Sequence, residues 1–407
     1  MFSLLKSKSV RAWCFFDFGI SSYPTLILTF FYGAYYAKEI AENSIVGTSL
    51  WGFALSIASI ITFLFLSLTL LSGRYLTKKI KTNFFKFFFY LMILFTFGLI
   101  LFDKNSNQII PLLFIIISFI SFEIVNLFYN VSLYRVSKKD RGALSNLGWA
   151  SGYLGGLISL LIIFLLLELT RPHGYIILNF SVFLIIGPFV ALWTIIFGLF
   201  HFRNFKSKSF DRPDIVQLIK NFRSQGLVTF LISYFFFNNA VISIFAFASM
   251  FAAFLFKLSE SEILFLGIFI NLSGIIGCLI FGKYEDKIGS LETVKICIFG
   301  LLCLTLILFF TENITFFWLI ALSIGFFIGP IQASSRSVLA KKIKSKNQLS
   351  AFSVYSMFGS LCSILGPFLV GLTIDLSESI RSGILIIPLF FILSLIPFIK
   401  INLKLNA

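Results

Sequence analysis

Residues 109–134 read IIPLLFIIISFISFEIVNLFYNVSLY, and this stretch is the clearest indication of the fold class. Strands of a membrane barrel alternate apolar and polar residues, whereas the run from Pro111 to Ile120 has apolar residues on every face. A helix of about 20 residues crosses the hydrocarbon core and satisfies its own backbone hydrogen bonds. The stretch therefore predicts a transmembrane helix.

Eleven further stretches have the same character. Hydrophobic residues make up 58% of the 407 residues and charged residues 12%, a balance that a soluble domain could not keep without exposing apolar surface. The sequence predicts an all-α membrane protein with twelve transmembrane helices. We place the helices at 12–37, 47–73, 84–102, 109–134, 146–169, 176–202, 227–256, 261–282, 292–311, 314–339, 350–375 and 381–401.

The charges between these stretches indicate the topology, because Lys and Arg are retained on the cytoplasmic side of short loops. Of the 33 basic residues, 28 lie in or beside the two termini and the loops after spans 2, 4, 6, 8 and 10. The opposite loops hold five: Lys38, Lys104, Arg171, Lys257 and Arg381. We therefore predict an even number of spans with both termini cytoplasmic, in the cell (inner) membrane.

The net charge of +16 follows from this topology. Basic residues in short juxtamembrane segments favour anionic lipid headgroups, so the expected partner is the lipid bilayer and not nucleic acid. The basic start of the chain leads into a full-length span without a convincing small-residue cleavage site. We expect the first helix to be retained as its own targeting signal.

One long polar segment separates six spans from six. We predict an N-terminal six-helix bundle over 1–202, a cytoplasmic linker over 203–226 and a C-terminal six-helix bundle over 227–407. Within the linker, Asp211 could cap and Pro213 begin a short amphipathic helix that runs through Phe222 on the membrane surface. A disordered tether is the alternative.

Corresponding loops of the two halves carry related sequences, GRYLTKKI at 73–80 and GKYEDKIG at 282–289. Glycine would let the chain leave the helix, while Asp and the bases could pair with neighbouring helix ends and hold one closed arrangement. The second copy completes the loop signature G-x-x-x-D-K/R-x-G of the major facilitator superfamily, which the chain resembles. Its residues are Gly282, Asp286, Lys287 and Gly289. In the first copy, which begins at Gly73, Thr77 and Ile80 replace the Asp and the final Gly, so the resemblance does not supply the first half with a gating ion pair.

Within that superfamily, the chain resembles the vacuole-effluxer-like permeases over nearly its whole length. Four segments carry the likeness: Trp13-x-x-x-Asp17-Phe18 with Ser21 and Tyr23; Tyr129-Asn130; Arg141-Gly142 with LGWASGYLGG at 147–156; and QASSRS at 332–337. The resemblance implies two six-helix pseudo-repeat bundles and transport by alternating access. The association of the eukaryotic members with amino-acid export suggests the solute class. Two positions depart from the pattern, since Ile20 replaces an Asn and Asn239 replaces an Asp.

Polar groups inside the spans mark the candidate transport path. Asp17 lies about 10 Å to the cytoplasmic side of the middle of span 1, and Glu123 lies near the middle of span 4. Each carboxylate could bind a proton, as a proton-coupled carrier requires, or be held permanently by hydrogen bonds to a neighbouring helix. Glu123, Asn126 and Asn130 share one helix face, which predicts either a cavity wall or polar contacts between helices 4 and 2. Tyr23 is placed in the same site.

The second half offers two comparable clusters. One lies near the start of span 7 and the other at the cytoplasmic end of span 10; their residues are Tyr234, Asn238, Asn239, Gln332 and Arg336. Arg336 could meet a carboxylate of the solute or of the opposite half, because its planar fork suits bidentate pairing. It could equally anchor the helix at the positive-inside interface, since two lysines follow within two turns.

Small residues recur on span 5. Gly148, Gly152 and Gly156 would let another backbone approach closely, either as a sliding interface or as static packing. In span 11, Gly366 and Pro367 predict a bend, because proline removes an internal hydrogen bond.

No catalytic or metal-binding motif is visible in the sequence, and we expect no enzyme activity, no cofactor and no metal. We predict a monomeric secondary transporter that moves a small organic solute, in the first place an amino acid, by alternating access and with proton coupling. An exporter of amphipathic compounds, a membrane-embedded lipid-modifying enzyme and a non-transporting receptor are the alternatives.

Overall fold

The computed structural model describes residues 2–71, 78–137, 140–170, 174, 176–177, 180–204, 215–343 and 347–405. Twelve membrane-spanning helices occur in this part of the chain, which confirms the predicted fold class. They are α1 Lys8–Ile40, α2 Ser44–Leu71, α3 Lys78–Phe97, α4 Ile109–Val136, α5 Arg141–Thr170, α6 Val182–Asn204, α7 Leu227–Phe256, α8 Glu260–Ile288, α9 Ser290–Phe310, α10 Ile314–Lys342, α11 Gln348–Ser377 and α12 Ile380–Leu405. A 3₁₀ turn, Phe2–Lys6, precedes α1 and another, Gly98–Leu101, follows α3. Because twelve helices of the described chain run alternately up and down, both ends of the described chain lie at the same end of the helix bundle, here called the terminal side.

The first span is not one regular helix. It is α-helical over Lys8–Ile20, continues as wider π-type turns over Tyr23–Phe30, and ends with a short α-turn, Tyr32–Tyr35, and further π-type turns, Tyr36–Ile40. Pro24 lies where the first wide turns begin and has no backbone N–H to continue the ladder. Such irregular turns require protein or a cavity, instead of lipid, around the released backbone groups.

Helix α8 is longer than predicted, which corrects the placement of the signature residues. Gly282, Asp286 and Lys287 were expected in a loop, but they lie within the last turns of the helix. The chain turns only at Gly289, whose φ of +105° is reached readily by glycine alone. The polar end of α8 therefore projects beyond the apolar stretch and carries the signature as a rigid element.

The predicted start of span 6 at residue 176 is wrong. Ile176–Ile177 and Phe180–Ser181 form two short antiparallel strands, and α6 begins at Val182. The remaining span, Val182–His201, already has 20 residues and suffices to cross the membrane.

The two halves repeat one packing pattern with an offset of six helices. In the first half α1 packs on α5 and α6, α2 on α4, and α3 on α4 and α6; the same pairs recur among α7 to α12. Between the halves, α5 packs on α8 and α10, and α11 packs on α2 and α4. The bundle boundaries 1–202, 203–226 and 227–407 stay a prediction.

An amphipathic helix, Ile215–Ser224, lies in the predicted linker and is called the linker helix below. The side chain of Phe222 is buried, and the Lys342 ammonium at the end of α10 donates to the Gln225 carbonyl at 3.0 Å. The expected cap Asp211 and the expected first residue Pro213 lie outside the described residues, and so does the first signature copy from Gly73 to Thr77.

Candidate functional site

A cavity of about 520 Å³ lies between the two halves. Its walls come from α1, α4 and α5 of the first half and from α7, α8, α10 and α11 of the second. At one end it reaches Arg336, two turns before the terminal-side end of α10. At the other end it reaches Ile263, about one turn from the start of α8 on the opposite side. The volume suits a small organic solute.

The polar face of α4 forms part of this cavity. Glu123, Asn126 and Asn130 all line it, so the structure places this face on the cavity and not against α2. Phe119 and Phe122 line the same wall. Amide, carboxylate and aromatic groups therefore share one surface, which can contact both polar and apolar parts of a solute.

Glu123 has no hydrogen bond or ion pair within the part of the chain that the structure describes. Tyr23 of α1 and Tyr234 of α7 lie close enough to interact electrostatically with its carboxylate. The Tyr23 hydroxyl instead shares a hydrogen bond of 2.8 Å with the Ser118 hydroxyl. An unpartnered carboxylate beside a cavity can hold a proton or a cationic group of a solute.

Asp17 and Arg336 form the terminal-side end of the cavity. The Arg336 Nη2 lies 3.9 Å from Asp17 Oδ2. The Tyr129 hydroxyl donates to the same carboxylate oxygen at 2.8 Å, and the Ser21 hydroxyl lies 3.4 Å from the other. The Asp17 side chain is 13% exposed, so part of it stays accessible from the cavity.

The Arg336 guanidinium belongs to the second half but is bound by the first. Its Nε donates to the Ser145 hydroxyl at 2.6 Å, and its Nη2 donates to the Ser145 carbonyl at 2.6 Å. Its Nη1 donates to Asn130 Oδ1 at 3.2 Å. The interpretation of Arg336 as an interface anchor is therefore wrong, because the side chain is only 5% exposed and joins the two halves.

Three aromatic rings of the first half surround this guanidinium. Its carbon lies 4.9 Å from the ring centre of Trp13, 5.4 Å from that of Tyr129 and 5.8 Å from that of Trp149. Trp13 also stacks on Tyr129, with ring centres 4.5 Å apart, and its indole N–H donates to the Ser132 hydroxyl at 2.9 Å. The rings hold the guanidinium in place and attract its charge.

The second half contributes amide and phenol groups. Gln332 Nε2 donates to Asn238 Oδ1 at 2.9 Å, and both side chains line the cavity. Tyr234 stacks on Tyr355 with ring centres 4.1 Å apart, and both rings line the cavity. These groups face the polar wall of α4 and extend the hydrogen-bonding surface across the cavity.

Two predicted site residues do not line the cavity. Tyr23 is fully buried against Ser118, so its role is to pack α1 on α4. Asn239 is also fully buried; its amide donates to the Phe235 carbonyl at 2.6 Å and lies 3.3 Å from the Cys362 sulfur. Residues one position apart on a helix point about 100° apart, and at this position of α7 it is Asn238 that faces the cavity while Asn239 faces α11.

The terminal side of the cavity is closed by contacts between the halves. Asp286 of α8 accepts hydrogen bonds from the backbone N–H groups of Gly142 at 3.0 Å and Ala143 at 2.8 Å, in the first turn of α5. The Lys341 ammonium of α10 lies 2.7 Å from the same carboxylate. A helix N-terminus carries a partial positive charge, so the carboxylate is bound by a dipole and an ammonium together.

Glu285 adds a second, fully buried carboxylate beside Asp286. It accepts hydrogen bonds from the Asn146 amide and the Ser290 hydroxyl, each at 2.5 Å, and from the Ser334 hydroxyl at 2.9 Å. Lys341 lies 3.8 Å from it. Three helices, α5, α8 and α10, with Ser290 at the start of α9, therefore meet at this one side chain.

Sequence reasoning missed several of these groups. Lys287, expected to take part in the closed arrangement, is exposed, and its ammonium group has no hydrogen bond or ion pair among the described residues; Lys341 is the basic partner of Asp286 instead. Glu285 was visible inside the 282–289 segment, and Arg141 donates to the Ala340 carbonyl at 2.8 Å. Glu285 lies beside a signature residue and Arg141 is itself part of a family motif, but the sequence did not identify the partner of either.

The glycines of α5 pack mainly against α1 of the first half, and Gly148 also lies against Arg336 of the second half. A methyl group at Gly148 would meet the Trp13 ring, that at Gly152 the Ser21 hydroxyl, and that at Gly156 the Thr25 hydroxyl, all on α1. Gly152 and Gly156 therefore lie at the α1–α5 contact, whereas Gly148 lies where Trp13 and Arg336 meet. Gly366, which precedes Pro367 on α11, packs at the α7–α11 contact. A methyl group there would meet the Asn239 carbonyl and the Ser243 hydroxyl of α7.

Alanine at Gly148 is expected to destabilise the protein by about 1–3 kcal/mol through overpacking. The new methyl group would lie 2.7 Å from a Trp13 ring carbon and 2.8 Å from Arg336 Nη2. Thermal unfolding of the purified protein measures the effect. Gly52→Ala on α2 is the control, since nothing lies within 4 Å of its methyl position and stability should stay equal or rise slightly. Equal melting temperatures for the two variants would contradict the packing described here.

Comparison with known proteins identifies the family. Residues 132–405 match the model of the "Vacuole effluxer Atg22 like" family. The chain belongs to the Atg22-like family of the major facilitator superfamily. The uncharacterized MFS-type transporter YxiO of Bacillus subtilis (strain 168) is 25% identical over 411 residues, which cover 96% of this chain and 94% of YxiO. Autophagy-related protein 22 of Vanderwaltozyma polyspora is 27% identical over 217 residues, or 48% of this chain and 41% of that protein.

Solved structures show the same fold. The human organic anion transporter MFSD10 (TETRAN) superposes with a TM-score of 0.68 at 14% identity and covers 97% of this chain and 98% of that one. Membership of this family and the full-length likeness to YxiO make the protein a multi-pass membrane transporter and not an enzyme.

Proposed function

We propose that this transporter moves an amino acid or a similar small organic solute through the cavity by alternating access, as a monomer, and that Glu123 couples the movement to protons. The observation that carries the proposal is the cavity itself, which lies between the two halves and presents an acid–base pair and an unpartnered carboxylate to a solute. A carboxylate-bearing amine would find opposite charges within one polar surface.

The arrangement of contacts supports alternating access. The cavity reaches the opposite side at Ile263, whereas Asp286, Glu285 and Arg336 hold the halves together on the terminal side. The α5–α8 and α2–α11 pairs join the halves along the cavity. Rocking of one half about these pairs would break the terminal-side contacts and bring the cavity to that side.

The same proposal includes the orientation. Basic residues concentrate on the terminal side, which the positive-inside rule assigns to the cytoplasm, so both termini would be cytoplasmic and the membrane would be the cell membrane. Closure on that side then means that the cavity faces outward in this structure.

Glu123→Gln is expected to abolish proton-driven accumulation while solute exchange persists. The amide has nearly the shape of the carboxyl group but cannot carry a titrating proton. A gradient of one pH unit is worth about 1.36 kcal/mol per proton, enough for about tenfold accumulation. We expect proteoliposomes with the native protein to accumulate labelled amino acid under such a gradient and those with Glu123→Gln to stop at equal concentrations.

Glu292→Gln is the matched control for that experiment. Glu292 is exposed, pairs with Lys295 at 2.8 Å and does not line the cavity. It should accumulate solute as the native protein does. Gradient-driven accumulation by Glu123→Gln would contradict proton coupling through Glu123. Absence of transport for every amino acid would contradict the proposed solute class.

The apolar part of the cavity favours a second candidate, an exporter of amphipathic compounds. Phe30, Phe119, Phe245 and Leu266 line the cavity toward the opposite side. Such a surface would accept the apolar portion of a larger amphipathic molecule. Efflux of a lipophilic cationic dye from vesicles, without competition by any amino acid, would favour this candidate.

A further inference from the structure

The charges around the cavity do not balance. Three charged residues occur among the described residues that line it: Asp17, Glu123 and Arg336. With both carboxylates ionised, the site carries one negative charge in excess. Because an uncompensated charge inside the membrane-spanning part of a protein is costly, a solute with one net positive charge would be favoured over a zwitterion or an anion.

One end of the cavity matches the head of an α-amino acid. Asp17 and Arg336 present an acid and a base 3.9 Å apart, and both side chains line the cavity. An α-ammonium and an α-carboxylate are likewise neighbours on one carbon atom. Arg336 has donors on Nη1 in excess of the single bond to Asn130, so a carboxylate can bind without releasing the two bonds to Ser145.

Glu123 lies too far from this end to share the same head group. Asn130, which accepts from Arg336, is seven residues further along α4, a helical rise of about 10 Å. Helical side chains lean toward the N-terminus, so the Glu123 carboxylate points away from the Asp17 end. A second cationic group on a chain of several methylenes would be needed to reach it.

The region between the two ends can hold such a chain. Apolar side chains line the cavity near Asp17 and Glu123. They are Ile20, one turn along α1 from Asp17, Phe122, next to Glu123 on α4, and Val241 of α7. Four carbon–carbon and carbon–nitrogen bonds beyond the β-carbon of an extended amino acid add about 5 Å. With a hydrogen bond of about 2.9 Å at each end, this length spans the rise of about 10 Å between the Arg336 end of the cavity and Glu123.

We infer that the solute is a diamino monocarboxylic acid of the lysine or ornithine type, with its α-carboxylate on Arg336, its α-ammonium on Asp17 and its terminal ammonium on Glu123. The inference rests on the proposed function, that the protein carries amino acids. The terminal ammonium and the coupling proton then occupy the same carboxylate in turn, so loading a cationic solute on Glu123 releases the proton.

Competition in proteoliposomes tests this assignment with three probes that differ by one group. Lysine carries all three groups, norleucine lacks the terminal amine and cadaverine lacks the carboxylate. Lysine is expected to be transported at least about tenfold better than either, because a charge-assisted hydrogen bond in a desolvated site is worth at least that factor. Glu123→Gln should remove the preference of lysine over norleucine, whereas Glu123→Asp, which keeps the charge, should retain part of it.

The outcomes separate this inference from the proposed function. Equal transport of lysine and norleucine by the native protein would overturn the inference and leave an amino-acid carrier. Retention of the full lysine preference in Glu123→Gln, with a melting temperature near that of the native protein, would also overturn it. Absence of transport for every amino acid would remove the proposed function and the inference together.

Discussion

Replacing Arg336 with lysine is expected to lower transport at least about 100-fold, although the positive charge is kept. The guanidinium donates to Ser145 twice and to Asn130 once, and lysine cannot reproduce this planar fork. A hydrogen bond from a charged group contributes about 1.5–3 kcal/mol, so two lost bonds exceed the 2.8 kcal/mol or so that corresponds to a factor of 100. Uptake of labelled solute by proteoliposomes measures the loss.

Removal of the charge should have a further effect on stability. Arg336→Gln leaves the Asp17 carboxylate without its cation, and breaking a buried pair costs about 3–5 kcal/mol. Arg223→Lys in the exposed part of the linker helix is the control and should transport as the native protein does. Transport within threefold of native by Arg336→Lys would show that the fork geometry is unimportant and would contradict the role assigned to Arg336.

The sequence predicted the number of helices because the bilayer imposes a strong and local rule. Each span must be apolar for about 20 residues, and this can be counted without knowing any contact. The ends of α8 and α6 were harder, since a helix can extend into water at its polar end, as α8 does to Ile288, or stop once the membrane is crossed, as α6 does at Val182. Nothing in the local composition distinguishes these two cases.

The candidate site was predictable where one helix contains the whole signal. Glu123, Asn126 and Asn130 lie on one face of α4, so their shared orientation follows from helical geometry. Asn238 and Asn239 could not be separated in this way, because which neighbour faces the cavity depends on the rotation of α7 in the bundle. The same is true of Arg336, whose partners come from residues about 190–320 positions away along the chain.

The partners in the terminal-side contacts could not be predicted from the sequence either. The signature identified Asp286 as a residue that binds a helix end, but the identity of that helix, α5, and of the partner Lys341 depends on how the two halves meet. The burial of Glu285 also depends on how the halves meet, since Asn146 and Ser334 bind it from different halves. Long-range pairing of this kind leaves no periodicity in the sequence.

Neutralising Asp286 is expected to open the terminal side. Asp286→Asn keeps the size of the side chain but loses the ion pair with Lys341. The carboxylate accepts two hydrogen bonds from the N-terminus of α5, whereas the neutral amide has one oxygen and can accept in place of only one of its two oxygens. The loss amounts to about 2–4 kcal/mol of contacts present only in the closed arrangement, so the closed population should fall at least about tenfold relative to the open one.

Labelling of a cysteine placed at Ala333 measures this shift. Ala333 is fully buried beneath the terminal-side contacts, and its carbonyl accepts from the Ser145 hydroxyl across the two halves at 2.6 Å. A membrane-impermeant maleimide applied from the terminal side should label Ala333→Cys at least several-fold faster in the Asp286→Asn background, because the thiol is reachable only when the halves separate. Lys287→Gln, one residue away and exposed, is the matched control and should leave the labelling rate unchanged. Equal labelling rates in the native and Asp286→Asn backgrounds would mean that the Asp286 carboxylate does not hold the halves together, and the closure would then have to depend on the other contacts between the halves, such as those of Glu285 and Arg336.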